Sequence, residues 1–366
     1  MRVDQTDYPL MRIGEKALTD KMDKIAESCT TLDRYPMSLY KCHVHEIRNE
    51  VAARLFDSAS ATDPILKEQY YLFSWLAVYL LNDQAEKFAL VEVSERNSLW
   101  NHLNLVIDDL VNRLRLSSRP LPFFGGSFYC TGSFVYAQQG IPVPVSPFYQ
   151  VSAESHDSTL FWPLLAHEIA HLKLSESIEV AEIRKELTRQ NLRNEKYSER
   201  LDEALCDIIA TLLYGPAYVA SFGTKFWQLP DERTDEGYPT NQFRIFVMMK
   251  VLEGKHTGSW ICPILENTCQ INEKEARREK ISILTDEMLA LGDTLVRNPT
   301  DVSDLKVASF SRSISSINDG RLDYLFNTLW SMIYERTMTF DAANEAASCL
   351  LERWAKRSES LTQSRS

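Results

Sequence analysis

The segment 160–172 constrains the fold of this chain more than any other, because it is apolar except at His167, Glu168 and His171. Pro163 is tolerated in the first turn of a helix, so the segment predicts a buried helix that begins there. Two imidazoles and a carboxylate are costly to bury without a partner. Residues four apart share one face of a helix, so both rings of this HExxH motif can reach one metal ion.

A second helical segment supplies a candidate third ligand. Apolar residues recur at helical spacing over 198–214, and Glu203 and Asp207 lie four apart on the flank of that stripe. Catalytic zinc usually takes three protein ligands and leaves a fourth position open. Glu203 is the candidate ligand, and Asp207 is the candidate acceptor for the other ring nitrogen of a ligand histidine. A solvated acidic edge of an amphipathic helix is the alternative.

Other residues compete with this ligand set. Glu199 and Asp202 are carboxylates, but neither has an acidic residue four positions later. Cys206 offers a soft ligand, although a small residue inside an apolar stripe is more typical of a core. For His167 and His171 the alternative is a pair of core histidines beside a salt-bridged glutamate.

An HExxH helix followed by an ExxxD helix resembles the gluzincin zinc metallopeptidases, the thermolysin-like branch of the zincins. The resemblance covers roughly residues 140–250 and implies a zincin-like core. It implies Zn2+ bound by His167, His171 and Glu203, with Glu168 as general base and Asp207 behind a ligand histidine. The chain departs from the family in its spacer, because the strongly charged segment 176–200 separates the two motifs. This segment predicts an inserted helix or a surface excursion.

A segment after the second helix adds catalytic candidates. Gly215-Pro216 predicts the end of the second helix, and residues 238–244 open another one. This segment is similar to a His-Pro…Arg segment that follows ExxxD in some gluzincins, with Tyr238 in place of the histidine. The hydroxyl of Tyr238 or the guanidinium of Arg244 could stabilise an oxyanion there. A helix N-terminus with a surface arginine is an equal alternative.

These residues together predict a zinc-dependent metallopeptidase acting on a peptide or protein substrate. Zinc polarises a carbonyl and lowers the pKa of water, and Glu168 is positioned to take the proton of the attacking water and pass it to the leaving amine. Two alternatives stay open: a metal-dependent amidohydrolase of a non-peptide substrate, and a catalytically silent, zinc-stabilised interaction protein. The intact Glu168 argues against the silent protein, because a structural zinc site needs no base and favours cysteine ligands.

Composition narrows the partners and the compartment. The net charge of -11 argues against binding to nucleic acid or to an anionic membrane surface. Seven scattered cysteines suggest no disulfide framework and fit a reducing cytoplasm. The N-terminus has no apolar signal core, and the apolar run 70–81 is too short to span a bilayer. We therefore expect a cytoplasmic protein, and the sequence leaves its oligomeric state open.

The predicted fold is α+β and predominantly α-helical, in three regions. Residues 1–118 form a helical N-terminal region, 119–254 the zincin-like catalytic core, and 255–366 a helical C-terminal region. Apolar residues at helical spacing predict helices over 37–56, 66–81 and 98–116 in the N-terminal region. In the C-terminal region the clearest helical stretches are 273–296 and 322–357.

The Pro- and Gly-rich segment 119–150 predicts the little sheet that this fold contains. Residues 128–136 predict a strand. Three prolines in 141–149 predict an edge strand or an extended connector, because proline donates no ladder hydrogen bond. A peptide substrate could add as a strand to such an edge, and a packed proline-rich connector is at least as good an interpretation.

Overall fold

The computed structural model describes nine segments and seven further positions. These are residues 99–117, 119–125, 129–131, 148–152, 158–189, 195–226, 239–255, 285–300 and 321–363, and positions 20, 87, 90, 91, 93, 94 and 97. The chain forms two compact units, one of residues 1–94 and 131–148 and the other of residues 95–130 and 149–366. The elements below belong to the second unit, apart from the end residues Thr131 and Phe148 of two strands. The three predicted regions stay a prediction.

The second unit is mostly helical in its described part, which confirms the predicted α-rich composition. Its helices are α1 (Trp100–Leu114), α2 (Leu165–Glu176), α3 (Ile178–Arg189), α4 (Glu195–Tyr214), α5 (Pro216–Phe226), α6 (Asn241–Lys255), α7 (Thr285–Leu295), α8 (Leu322–Tyr334) and α9 (Phe340–Gln363). The charged segment between the two motifs thus contains α3 and the first turn of α4. Within the residues described, no helix is both long enough and apolar enough to cross a membrane.

A small sheet precedes α2. Its strands are β1 (Leu121–Gly125), β2 (Tyr129–Thr131) and β3 (Phe148–Ser152), in the order β1-β3-β2. Residues 129–131 of the strand predicted over 128–136 form β2, and the rest of that prediction, like the helices predicted over 37–56 and 66–81, lies outside the described residues. The three prolines of 141–149 lie outside the described residues. Of the other residues of that segment, only Phe148 and Tyr149 are described; they belong to the middle strand, so an edge position is wrong for them.

The helix that carries the HExxH motif begins two residues later than the sequence predicts. Pro163 lies in a 3-10 helix (Thr159–Leu164), and α2 follows without a break. The buried carbonyl of Leu160 in this turn accepts hydrogen bonds from Trp330 Nε1 at 3.1 Å and from Ser221 Oγ at 3.0 Å. Side chains of α5 and α8 therefore fix the direction from which α2 enters the core.

Helix α4 is the centre of the unit. It contacts α2, α5, α6, α7, α8 and the 3-10 helix, and its apolar stripe is buried. Helix α7 approaches α4 closely at Gly292, where a Cβ atom would overlap Ile208 Cγ2 and lie 3.4 Å from Leu212 Cδ1. The missing side chain at Gly292 is therefore what allows these two helices to pack.

The C-terminus of α4 is capped by residues from distant parts of the chain. Gly215 takes φ 56° and donates its N–H to Thr211 O at 2.6 Å, which ends the helix as the sequence predicts. Thr300 donates its N–H to Leu212 O at 2.7 Å, and its hydroxyl reaches Leu213 O. Asn327 Nδ2 donates to Tyr214 O at 2.7 Å. All four carbonyls of the last turn thus have a donor within reach.

The segment 322–357 is two helices, where the sequence predicts one. Helix α8 ends at Tyr334 and α9 begins at Phe340. Between them Arg336 takes φ 57° and donates its N–H to Ile333 O at 3.0 Å, while Thr337 N–H bonds Met332 O at 3.0 Å. These two bonds form a Schellman motif, which normally carries glycine at the position that Arg336 occupies.

Candidate metal centre

Helix α2 brings His167 and His171 to one face, one turn apart. The ring centroids lie 5.1 Å apart and the ring planes are nearly perpendicular, at 85°. The surroundings differ, because the side chain of His167 is 8% exposed and that of His171 is 31% exposed. One ring is therefore fixed in the protein interior, and the other is partly accessible to solvent.

Glu203 on α4 faces both rings. Its Oε2 lies 3.1 Å from His167 Nε2 and its Oε1 lies 3.4 Å from His171 Nε2. One ligand atom from each of the three residues lies within 4.8 Å of the others. The packing of α2 along α4 thus brings together the three ligands predicted from the sequence, although 31 residues of chain separate the two motifs.

Asp207, one turn further along α4, contacts the opposite nitrogen of His167. Its Oδ1 lies 2.9 Å from His167 Nδ1, and the carboxylate is fully buried. A carboxylate accepts and cannot donate, so Nδ1 carries the hydrogen and the lone pair of a neutral ring lies on Nε2. Nε2 is the atom that faces Glu203. Asp207 therefore has the contact that the sequence predicts for it.

Two more side chains hold Asp207. Arg244 on α6 donates from Nε to Oδ2 at 2.6 Å and from Nη2 to Oδ1 at 2.8 Å. Tyr218 on α5 donates from its hydroxyl to Oδ1 at 2.5 Å. Arg244 also lies over the ring of Phe222, with 4.6 Å from its Cζ to the ring centroid. The carboxylate is thus bound from α2, α5 and α6 at once.

Comparisons of the chain with protein-family models, with curated proteins and with solved structures found no match.

The charges of the site stabilise one another. Burial alone would lower the pKa of His167, but Asp207 and Glu203 outweigh burial and raise it to about 10. Burial alone would raise the pKa of Asp207, yet Arg244 and His167 lower it to about 2. For Glu203 the hydrogen bonds from His167 and His171 likewise outweigh burial and lower its pKa below the ordinary range. Both carboxylates are ionised at neutral pH.

This balance of charge favours a cation. Within the described part of the chain, the carboxylates of Glu203 and Asp207 face one guanidinium, that of Arg244, which lies 3.8 Å from Glu203 and 2.6 Å from Asp207. With neutral imidazoles, two negative groups and one positive group leave a net negative charge in a largely dehydrated cluster. Isolated charge is costly there, so a proton or a metal ion is required.

The donor set fits zinc. Two imidazole nitrogens and one carboxylate are typical of catalytic zinc, and atoms about 2.0–2.2 Å from one tetrahedral ion lie roughly 3.3–3.6 Å from each other. The His167–Glu203 and His171–Glu203 separations of 3.1 and 3.4 Å are close to this range. Burial raises the pKa of Cys206 well above its ordinary value, so this thiol stays protonated inside the core and is not part of the cluster.

Glu168 differs from the other two carboxylates of the site. It lies on α2 between the histidines and is half-buried. Where Glu203 and Asp207 are fully engaged, Glu168 makes no hydrogen bond or ion pair with any residue in the described ranges. Its carboxylate is therefore available to accept a proton from a molecule bound beside His167 and His171.

The candidates for oxyanion stabilisation have different outcomes. Tyr238 lies outside the described residues. Arg244 lies at the site, but both of the nitrogens whose bonds are described above point to Asp207. Tyr218 was not predicted from the sequence, because Gly215-Pro216 ends the helix of Asp207 before it and helical spacing therefore does not relate the two residues. Only the reversal of the chain at Gly215 brings it back against α4.

Proposed function

We propose that this protein is a zinc-dependent metallopeptidase. The observation that carries the proposal is the convergence of His167, His171 and Glu203 within 4.8 Å, beside the unengaged carboxylate of Glu168. Three protein ligands leave one coordination position for water or substrate, whereas structural zinc sites are closed. The half-exposed His171 supports the same interpretation, because a substrate must reach the ligand set from outside.

Each residue has a role that its contacts support. His167, His171 and Glu203 hold the zinc, which when bound polarises the scissile carbonyl and lowers the pKa of water. Glu168 takes the proton of the attacking water and delivers it to the leaving amine. Asp207 keeps the hydrogen of His167 on Nδ1, so that Nε2 is free to bind.

Arg244 enters this mechanism as a positioning residue. Its Nε and Nη2 both donate to Asp207, and the ring of Phe222 supports its guanidinium. A guanidinium that donates two hydrogen bonds to a buried carboxylate has its position fixed by that carboxylate. Stabilisation of the oxyanion by Tyr238 or Arg244 stays a prediction.

The setting of the site extends the proposal to the fold and the compartment. Helices α2 and α4, with the small sheet ahead of α2, form the zincin-like core that the gluzincin resemblance implies. Cys206 and Cys349 are both free thiols. Free thiols persist in a reducing compartment, which supports a cytoplasmic location.

The test is metal content and peptide cleavage in four proteins. The purified wild type is compared with Glu168→Gln, Glu203→Ala and a matched control, Glu182→Gln, which makes the same chemical change at an exposed position on α3. Each protein is assayed for bound metal by mass spectrometry and then incubated with a diverse peptide library and, separately, with a set of non-peptide amides. Loss of a general base typically lowers turnover by about 10²- to 10⁴-fold.

We expect near-stoichiometric zinc in the wild type, in Glu168→Gln and in the control, and weakened binding in Glu203→Ala. Cleavage should occur in the wild type and in Glu182→Gln alone. Stoichiometric zinc with cleavage of non-peptide amides only would indicate an amidohydrolase. Zinc without any Glu168-dependent hydrolysis would indicate the silent interaction protein. Failure of the wild type to bind zinc or any replacement metal would refute the proposal.

A further inference from the structure

The hydroxyl of Tyr218 binds the carboxylate behind the candidate metal ligands, a contact that packing of the ring alone does not require. Its ring is fully buried on α5, and its hydroxyl lies 2.5 Å from Asp207 Oδ1. The same hydroxyl lies 3.4 Å from His167 Nδ1. A ring nitrogen that donates to Asp207 cannot also accept from Tyr218, so the two groups are neighbours that donate to one oxygen.

Four donor atoms from three helices converge on Asp207. Oδ1 receives His167, Tyr218 and Arg244, and Oδ2 receives the second nitrogen of Arg244. A rotation of this carboxylate would break its bonds to three helices at once, so it has no alternative rotamer at equal energy. Tyr218 is the donor among them whose removal changes no charge.

Helix α5 supports this arrangement twice. Tyr218 and Phe222 lie one turn apart on it, with ring centroids 6.3 Å apart. Tyr218 binds Asp207 directly, and Phe222 carries the guanidinium of Arg244 on its face. One face of α5 therefore fixes both partners of the carboxylate.

We propose that Tyr218 is a positioning residue of the metal centre, whose hydroxyl fixes the carboxylate of Asp207 and, through it, directs Nε2 of His167 towards the metal position. This inference rests on the proposed function for its metal. The contact itself is present without the ion. The hydroxyl acts through Asp207 and touches neither substrate nor ligand atom.

The chain offers a matched control for removing this hydroxyl. Tyr214, the last residue of α4, is also fully buried, and its hydroxyl has no hydrogen-bond partner in the part of the chain that the structure describes. Tyr218→Phe and Tyr214→Phe therefore remove the same atom from two equally buried rings. Only the first removes a donor to Asp207.

Two readouts are measured on the full chain. The first is the zinc dissociation constant, from competition with a chelator. The second is the long-range proton–nitrogen NMR spectrum of the metal-free protein labelled with 15N-histidine, in which the signals of His167 are identified by their absence from His167→Gln. This spectrum shows which ring nitrogen carries the hydrogen and how strongly it is bonded, with no metal present.

Tyr218→Phe should weaken zinc binding by about tenfold, at the low end of the effect of outer hydrogen-bond partners of a metal ligand. It should also shift the Nδ1 signals of His167. Tyr214→Phe should leave both readouts unchanged. Wild-type zinc affinity together with wild-type His167 signals in Tyr218→Phe would overturn the inference, and so would equal effects of the two changes.

Failure of the inference is distinguishable from failure of the proposed function. A wild type that binds no metal contradicts the function, and the His167 spectrum of Tyr218→Phe still decides the positioning role. A wild type that binds zinc beside a Tyr218→Phe protein without change contradicts the positioning role alone.

A measurement on the wild type decides the inference if Tyr218→Phe does not fold. In the metal-free wild type, the hydroxyl proton of Tyr218 is bonded to a buried carboxylate beside His167 Nδ1, so it should exchange slowly and give a proton NMR signal with a cross-peak to the Nδ1 proton. Absence of that signal in the folded wild type would overturn the inference.

Discussion

Asp207 and Asp323 are both buried carboxylates paired with an arginine, one on α4 and the other next to it. Asp207 sits in the middle of that helix, and Asp323 on α8 lies beside its C-terminus. Asp323 accepts from Arg321 Nη2 at 2.8 Å and lies 2.9 Å from the hydroxyl of Thr300. The same chemical device thus occurs twice along one helix, with different neighbours.

The partners of Asp323 donate hydrogen bonds to backbone carbonyls. The hydroxyl of Thr300 reaches Leu213 O, and Arg113 donates to Asn298 O at 3.0 Å and to the Thr300 hydroxyl at 3.1 Å. Each of these contacts attaches the segment 297–300 to the ends of α1 and α4. The paired Arg321 is half-exposed, so water screens its charge. This network caps the C-terminus of α4.

The partners of Asp207 connect it to the side chains of the candidate metal site. Arg244 is only 13% exposed, and His167 connects the carboxylate to Glu203, which also faces the partly exposed His171. A network that ends on imidazoles aligns ligand atoms, whereas one that ends on carbonyls secures chain ends. A buried Asp–Arg pair therefore indicates a functional site only when its remaining partners can bind a metal ion or a substrate.

The largest expected effect comes from Asp207→Ala. It leaves Arg244 buried without its partner, so the free energy of unfolding should fall by about 3–5 kcal/mol. It also frees His167 to rotate, and zinc affinity should fall by about 10- to 100-fold. Urea denaturation and chelator competition measure the two losses. Wild-type zinc affinity in a folded Asp207→Ala protein would abolish the distinction between the two networks.

A smaller effect is expected midway between the networks, at Gly292. A methyl group there meets Ile208, so Gly292→Ala should lower the free energy of unfolding by about 1–3 kcal/mol through overpacking. Gly223 on α5 has nothing within 4 Å of the same atom, so Gly223→Ala should be neutral or stabilise by up to about 1 kcal/mol. Thermal melts of the two proteins compare them directly. Equal melting temperatures would contradict the close packing of α7 on α4.

The smallest effect should come from Asp323→Asn, and it should depend on pH. Burial alone would raise the pKa of Asp323, but Arg321 and Arg113 hold it below its ordinary value. A carboxylate whose pKa is lowered by folding stabilises the protein above its unfolded pKa, about 3.9, and this stability is lost as pH falls through the folded value. We expect a loss of about 1–2 kcal/mol at pH 7, because water screens Arg321.

Urea denaturation of Asp323→Asn and wild type between pH 7 and pH 3 checks this expectation. The difference in unfolding free energy should stay constant down to about pH 5 and shrink below about pH 4. Zinc affinity should not change at any pH relative to wild type. A difference that grows on acidification would contradict the assigned direction of the pKa shift.

Much of the helical fold could be predicted from apolar spacing and glycine. Helices α1, α4 and α6 lie where the sequence predicts helices, and Gly215 marks the end of α4. The break between α8 and α9 could not be predicted, because Arg336 takes the left-handed conformation without the usual glycine. Arg115 ends α1 in the same way, at φ 51°. At both positions tertiary packing overrides the local preference.

The candidate site was predictable to the extent that helical periodicity determines it. Four-residue spacing places His167 beside His171 and Glu203 beside Asp207, and buried polar groups predict that the two pairs meet. The partners from α5 and α6 depend on how separate helices pack, and so the contact of Arg244 with Asp207 and the whole contribution of Tyr218 required the structure.

The cap of α4 by Asn327 has a consequence for amide hydrogen exchange. The first turn of a helix ordinarily exchanges early, since its N–H groups lack helical acceptors. At the start of α5 the N–H of Ala217 instead donates to Asn327 Oδ1 at 2.8 Å. Asn327 lies on α8, and its Nδ2 also donates to the carbonyl of Tyr214 at the end of α4. Exchange at Ala217 therefore requires α8 to withdraw. The junction at Gly215 joins the helix of Asp207 to the helix of Tyr218. It should open only in cooperative unfolding, and its amides should be among the last to exchange.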